Sequence, residues 1–132
     1  MIADASALFR LRPHHDSDVA FIASTWVHSY KQAEIPSGYL WQHSHVVDKL
    51  LARCGALVFC RKEHEQTLHA WVCAERDWLH YVYVGKELRH QGLAKALILG
   101  GMKAYPQRIY CSHRWPGAGS RFVFNPYLAV GT

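Results

Sequence analysis

The run His80–Tyr105, HYVYVGKELRHQGLAKALILGGMKAY, changes its periodicity halfway along. It begins as alternating aromatic and β-branched residues, the pattern of a strand, and ends in an Ala- and Leu-rich stretch of high helix propensity. Between them lies KELRHQGLA, a charged turn with one glycine. A strand that enters a helix through such a turn points the unpaired N–H groups of the first helical turn at one spot. The positive end of the helix dipole points there too. Gly92 lets the backbone approach a ligand with no Cβ in the way, and Ala94 is nearly as small. Arg89 and Lys95 add positive charge. The physical candidate is a cradle for a phosphate or pyrophosphate. An ordinary β-to-α turn with a solvated basic rim would have the same composition.

Working outward, the chain reads as one domain, 1–132, of mixed α/β class. Upstream, ALFRLRP (Ala7–Pro13) alternates apolar and basic residues and predicts a strand. DSDVAFIASTWVHSY then carries Val19, Ile22, Ala23, Trp26 and Tyr30 at helical spacing, with Asp16 or Ser17 as N-cap. AEIPSGYLW breaks that helix at Pro36 and Gly38. HSHVVDKLLARC predicts a short second helix, with Val46, Val47, Leu50 and Leu51 on one side and Gly55 at its end. ALVFCR and TLHAWVCAE flank the polar turn KEHEQ and predict a hairpin, and WLHYVYV follows the break at Arg76–Asp77. The helix from Leu93 runs to about Tyr105 and is closed by Pro106, after which RIYCSH and RFVF are β-like. The expected sheet is largely antiparallel, with a βαβ step from WLHYVYV to RIYCSH through the Leu93 helix.

Composition narrows the function classes. Half of the 132 residues are hydrophobic and 13% aromatic, which predicts a folded globule. No apolar run reaches the roughly 18 residues that a membrane span needs, and the N-terminus does not read as a signal peptide. A cytoplasmic location without membrane attachment is the expectation. The four cysteines form no CxxC pair and are expected as free, buried thiols. HSH has no matched second pair, so spacing predicts no metal centre. The formal charge of +5, with ten histidines besides, suits an anionic partner: a nucleic acid, an acidic peptide or a phosphorylated cofactor.

VYVGKELRHQGLAKALI resembles the acyl-CoA-binding motif of the GNAT superfamily, the Gcn5-related N-acetyltransferases. That motif is a strand ending in valine, a short charged turn, and Arg/Gln-x-x-Gly-x-Gly/Ala opening a helix. Here it is Arg89-His90-Gln91-Gly92-Leu93-Ala94, with Val84 in the place of the strand-ending valine. The element order is similar from FRLRP through RIYCSH, about residues 7–113. The resemblance implies acetyl-CoA as acyl donor, its pyrophosphate held by backbone N–H groups from about His90 to Ala94. Arg89 and Lys95 would stand beside it. It also implies a pantetheine arm running along the edge of YVYV past Tyr83 and Val84, and a neighbouring strand, RIYCSH, that splays away to admit the thioester.

Transfer of an acetyl group to an amine needs a base for the ammonium, donors for the oxyanion and a proton for the departing thiolate. His80, on the same strand face as Val82 and Val84 if alternation holds, is the candidate base. The resemblance to arylalkylamine-type acetyltransferases implies the same role. A buried histidine bonded to a carbonyl is the plain alternative. Glu75 and Asp77 are rival bases, which burial would have to raise toward neutrality. Tyr127 is the nearest equivalent of the family's tyrosine acid, with Tyr110 and Cys111 as other donors. WPGAGSRFVFNPYLAV is too short and too rich in Gly and Pro for the family's usual last helix. The loop YKQAEIPSGYLWQHSH, bearing Tyr30, Tyr39, Trp41, His43 and His45, would line the acceptor pocket. The expected function is acetyl transfer to a primary amine of a small molecule or protein. The alternatives are a GNAT-like protein that modifies DNA bases and a non-catalytic CoA-binding or interaction module. A homodimer is compatible with any of these.

Overall fold

The computed structural model describes residues 8–32, 47–111 and 119–124. They form a six-stranded sheet flanked by helices. Strand β1 is Phe9–Pro13, a 3-10 turn occupies Asp16–Asp18, and helix α1 is Val19–Gln32. Residues 47–54 are helical and are labelled α2. Strands β2 (Leu57–Arg61), β3 (Leu68–Ala74) and β4 (Trp78–Val84) follow. Then come a 3-10 turn at Lys86–Leu88, helix α3 (Leu93–Met102), β5 (Ile109–Cys111) and β6 (Phe122–Phe124). The strands lie in sequence order. Pairing is antiparallel from β1 to β4 and parallel from β4 to β6. The expected βαβ step is β4-α3-β5. The expected loop at Pro36 and Gly38 lies outside the described residues.

Alternation along the strands gives the sheet two apolar faces, and the helices cover one each. On one face Ile22 and Trp26 of α1 and Val47, Leu50 and Leu51 of α2 pack on Val58, Cys60, Trp71, Cys73 and Tyr81. Trp26 lies 5.2 Å from Trp71 and 5.3 Å from Tyr81 between ring centroids. The Trp71 indole N–H is satisfied by Thr25 Oγ1 at 2.9 Å. On the other face Leu93, Leu97, Ile98 and Met102 of α3 pack on Val72, Leu79, Val82 and Ile109. Those four α3 side chains contribute roughly 6–12 kcal/mol of gross burial, which offsets the entropy of ordering the helix.

Two local expectations are corrected. The cap of α1 is neither Asp16 nor Ser17: the Asp18 carboxylate accepts the His15 N–H at 2.7 Å and closes the 3-10 turn before Val19. Asp18 is held there because it pairs with buried Arg12, Nη1 to Oδ2, at 2.7 Å. Helix α3 stops at Met102, short of Tyr105, with Lys103 left-handed at φ 65°. Two consecutive glycines precede that end and propagate a helix poorly. Gly101 sits where a Cβ would come within 3.3 Å of Val72 and Ala74, so it allows α3 to lie close on β3.

Candidate functional site

Strand β4 carries a different site at each end. At its C-terminal end the backbone turns through Lys86–Leu88 and enters α3 with two left-handed residues, His90 at φ 65° and Gly92 at φ 80°. Left-handed residues beside ordinary ones turn successive N–H groups to one side, the geometry of an anion-binding concavity. Gly92 adopts that conformation without strain, whereas His90 does so at a cost. Arg89 and Gln91 are exposed, and both fold onto the turn. Arg89 Nε donates to the Val84 carbonyl at 2.9 Å, and Gln91 Nε2 donates to the Glu87 carbonyl at 3.4 Å. Leu93 is buried in the core beneath the cradle, so only its backbone faces the turn. Tyr83 packs toward the α1 face, 6.2 Å from both Trp71 and Phe21, and Val84 and Ala94 pack against the core on the α3 face. Lys95 departs from expectation: its Nζ lies 5.1 Å from the Tyr105 ring centroid, drawn along the helix rather than to the cradle.

At the other end, β4 does not alternate as its sequence suggests. Cys73 pairs with Tyr81 and Ala74 with Leu79, so His80 is an extra residue in the ladder. This β-bulge re-aims the side chain. His80 therefore shares the α1/α2 face with Tyr81, not the face of Val82 and Val84, which corrects the expected placement. There it is fully buried and its Nε2 lies 2.6 Å from Glu75 Oε2. The same oxygen accepts Arg53 Nη2 at 2.6 Å and the Trp78 indole N–H at 2.8 Å. The two-residue reversal at Arg76–Asp77 places Glu75 opposite Trp78, where the Glu75 N–H meets the Trp78 carbonyl at 2.9 Å. Arg53 Nη2 is also 3.4 Å from His80 Nε2. Cys54, the last residue of α2, completes the group. Its Sγ lies 3.6 Å from Cys73 Sγ and donates to the Leu50 carbonyl at 3.1 Å.

Electrostatics follow from these contacts. Burial pushes the Glu75 carboxyl up, but hydrogen bonds from His80, Trp78 and Arg53 outweigh it and hold the group below its ordinary value. Glu75 thus stays ionised at neutral pH, and the raising that a lone carboxylate base would need does not occur. The Cys73 hydrogen bond, with His80 behind it, outweighs burial and lowers the Cys54 thiol. The same bond and burial raise Cys73. Cys111 is pushed up to about 12 by burial.

The structure thus brings His80 and Glu75 together and leaves Asp77 exposed in the turn. Tyr127, Tyr39, Trp41, His43, His45 and the side chain of Tyr30 lie outside the described residues. Tyr110 is 43% exposed on β5, where it pairs with Trp78, and Cys111 pairs with Leu79. Arg53, Cys54 and Cys73 join the cluster without having been expected there. A depression of about 390 Å³ opens at the far end of α3 from the cradle, and it touches the cluster only through Cys54. Among the described residues no helix is long and apolar enough to cross a membrane.

No protein-family model matches the chain, and no curated protein does. Among solved structures, a possible acetyltransferase from Clostridium difficile 630 is similar at TM-score 0.50 and 23% identity. The match covers 69% of this chain and 66% of that one, so this chain spans just under two thirds of that protein's length. The likeness shows the fold alone: a mixed sheet with flanking helices.

Proposed function

We propose that the protein is an acyl-CoA-dependent N-acyltransferase that moves an acetyl group from acetyl-CoA to a primary amine. One observation carries the reading: a turn with the shape of an anion cradle and a histidine bonded to a carboxylate lie at opposite ends of one strand, β4, the carboxylate coming from Glu75 just past the end of β3. His80 and Val84 are four residues apart, roughly 13 Å at the usual rise per residue. A donor with a pyrophosphate at one end, a long arm and a thioester at the other spans that distance along the strand edge. The GNAT-like fold supports the same donor.

In this reading the N–H groups of His90 to Ala94 hold the pyrophosphate, with Arg89 beside them. The arm lies along Tyr83 and Val84. The incoming ammonium meets Glu75, whose side chain is 26% exposed, while His80 is sealed behind it at 0%. The two share one proton site and act as a unit, with Arg53 and Trp78 fixing the carboxylate. The neutral amine attacks the thioester carbonyl, the C–S bond breaks from the tetrahedral intermediate, and the thiolate leaves as CoA once protonated. Tyr127 and Tyr110 are the candidates for that proton. The oxyanion meets strand N–H groups near the bulge.

The test is transfer from acetyl-CoA to a panel of arylalkylamines, polyamines and lysine peptides, followed by release of free CoA thiol. Release that needs both protein and amine is the expected result. The complete burial of His80 favours one second reading, a structural histidine in a protein that binds CoA without transfer. Binding of CoA with no thiol release from any amine would select it.

A further inference from the structure

Cys54, Glu75 and His80 come from three separate elements, the end of α2, the end of β3 and the bulge of β4. Even so, one donor atom of each lies within 4.8 Å of the other two. Spacing in the sequence could not reveal this set, because no two of its members form a metal-binding motif. We propose that these three side chains are a binding site for a thiophilic divalent cation, Zn²⁺ above all. The inference goes beyond acyl transfer and does not depend on it.

The donor types select the metal. A thiolate, an imidazole and a carboxylate together suit zinc, whereas magnesium and calcium prefer all-oxygen sites. A second thiol stands ready for the fourth position: Cys73 Sγ is 3.6 Å from Cys54 Sγ. Two sulfurs at about 2.3 Å from a tetrahedral zinc are about 3.8 Å apart, so the pair is already near that edge. Charge also balances. Two thiolates and the Glu75 carboxylate offset Zn²⁺ together with the Arg53 guanidinium. Entry is possible because Cys54 is half-buried and the Glu75 and Arg53 side chains are 26% and 32% exposed. The metal takes the place of the proton between His80 Nε2 and Glu75. Arg53, a third exposed, gives up its place on the ligating oxygen but keeps its charge beside the carboxylate, and each thiol releases its proton to solvent.

Binding and base action then compete for the same imidazole nitrogen. If the proposed transfer operates, zinc inhibits it. If it does not, the metal still binds. The probe is Co²⁺ and Zn²⁺ titrated into the reduced protein. One equivalent of Co²⁺ should develop the charge-transfer absorption of a cobalt–thiolate bond, and Zn²⁺ should displace it. Cys54→Ser should weaken that absorption, leaving at most the contribution of Cys73, and weaken Zn²⁺ by no less than the ~10–100-fold that outer-shell partners cost. Zn²⁺ should also protect Cys54 of the unaltered chain from alkylation, located by peptide mass, a readout that needs no variant to fold. Absence of the cobalt–thiolate band, a band unchanged in a folded Cys54→Ser protein, or equal alkylation with and without Zn²⁺ would each overturn the proposal.

Discussion

The two ends of β4 are opposite kinds of site. Its C-terminal end is an exposed turn shaped by two left-handed residues, and its proposed working groups are backbone N–H donors. Its N-terminal end is a buried knot of side chains, in which one carboxylate oxygen accepts from an arginine, an indole and an imidazole. The first is built from local conformation and the second from tertiary register. The difference teaches where function is separable: the cradle should govern donor affinity alone, and the knot should govern turnover alone.

The largest expected effect is on turnover. His80→Gln should lower it by about 10²–10⁴, the range for a general base, mainly below the pKa of the acceptor amine, with acetyl-CoA affinity unchanged. Steady-state rates across pH, beside equilibrium titration, check both halves. An unaltered pH–rate profile removes His80 as the base, and a parallel fall in affinity breaks the separation.

Gly92→Glu should do the reverse. A carboxylate about 4 Å from the pyrophosphate costs roughly 4 kcal/mol at the effective dielectric of a protein surface, about a thousandfold in CoA affinity. The left-handed backbone adds a stability loss of about 1–2 kcal/mol, visible as a lower Tm of a still folded protein. Unchanged affinity would remove the cradle.

Glu75→Gln sharpens the knot's side of the comparison. Turnover should fall by roughly tenfold or more, since the pair loses its proton-sharing partner. Glu75 is held below its ordinary value when folded, so its contribution to stability is fully present above about pH 4.3, the unfolded value. It is lost as pH falls through the lower folded value. The variant should therefore lose stability at pH 7 and lose less of it on acidification. Asp18 supplies a second acid-sensitive step. Burial raises it, but the Arg12 and His15 hydrogen bonds outweigh that and hold it low. Thermal melts of variant and parent from pH 7 to pH 3, compared directly, separate the two.

The smallest effect is at Lys95. Its ammonium lies over Tyr105 rather than the turn, so Lys95→Ala should change CoA affinity less than about threefold and stability by about 0.5 kcal/mol. A large affinity loss would mean that Lys95 swings to the cradle when donor binds.

The turn into α3 was legible because its signals are local. Gly92, the periodicity change and the first turn of α3 are read from consecutive residues. The hairpin of β2 and β3 and the strand β4 after it were legible for the same reason, since short turns join them and each pairs with its neighbour. The knot was not legible. HYVYV alternates cleanly on paper, but pairing with β3 inserts His80 as an extra residue and turns it to the α2 face. Cys54 and Cys73 read as small buried hydrophobes, and nothing in KLLARCG signals that Arg53 will reach a carboxylate 22 residues away. The end of α3 was misjudged because Pro106 looked like the stop, when the Gly100–Gly101 pair and left-handed Lys103 end the helix earlier.

The most direct measurement of the central claim is calorimetric titration of acetyl-CoA and of CoA into the unaltered protein and into Gly92→Glu. Micromolar binding of both by the unaltered protein, lost in the variant, is the predicted result. No heat of binding from a folded, unaltered sample would contradict the account, because the turn that opens α3 would then hold no donor.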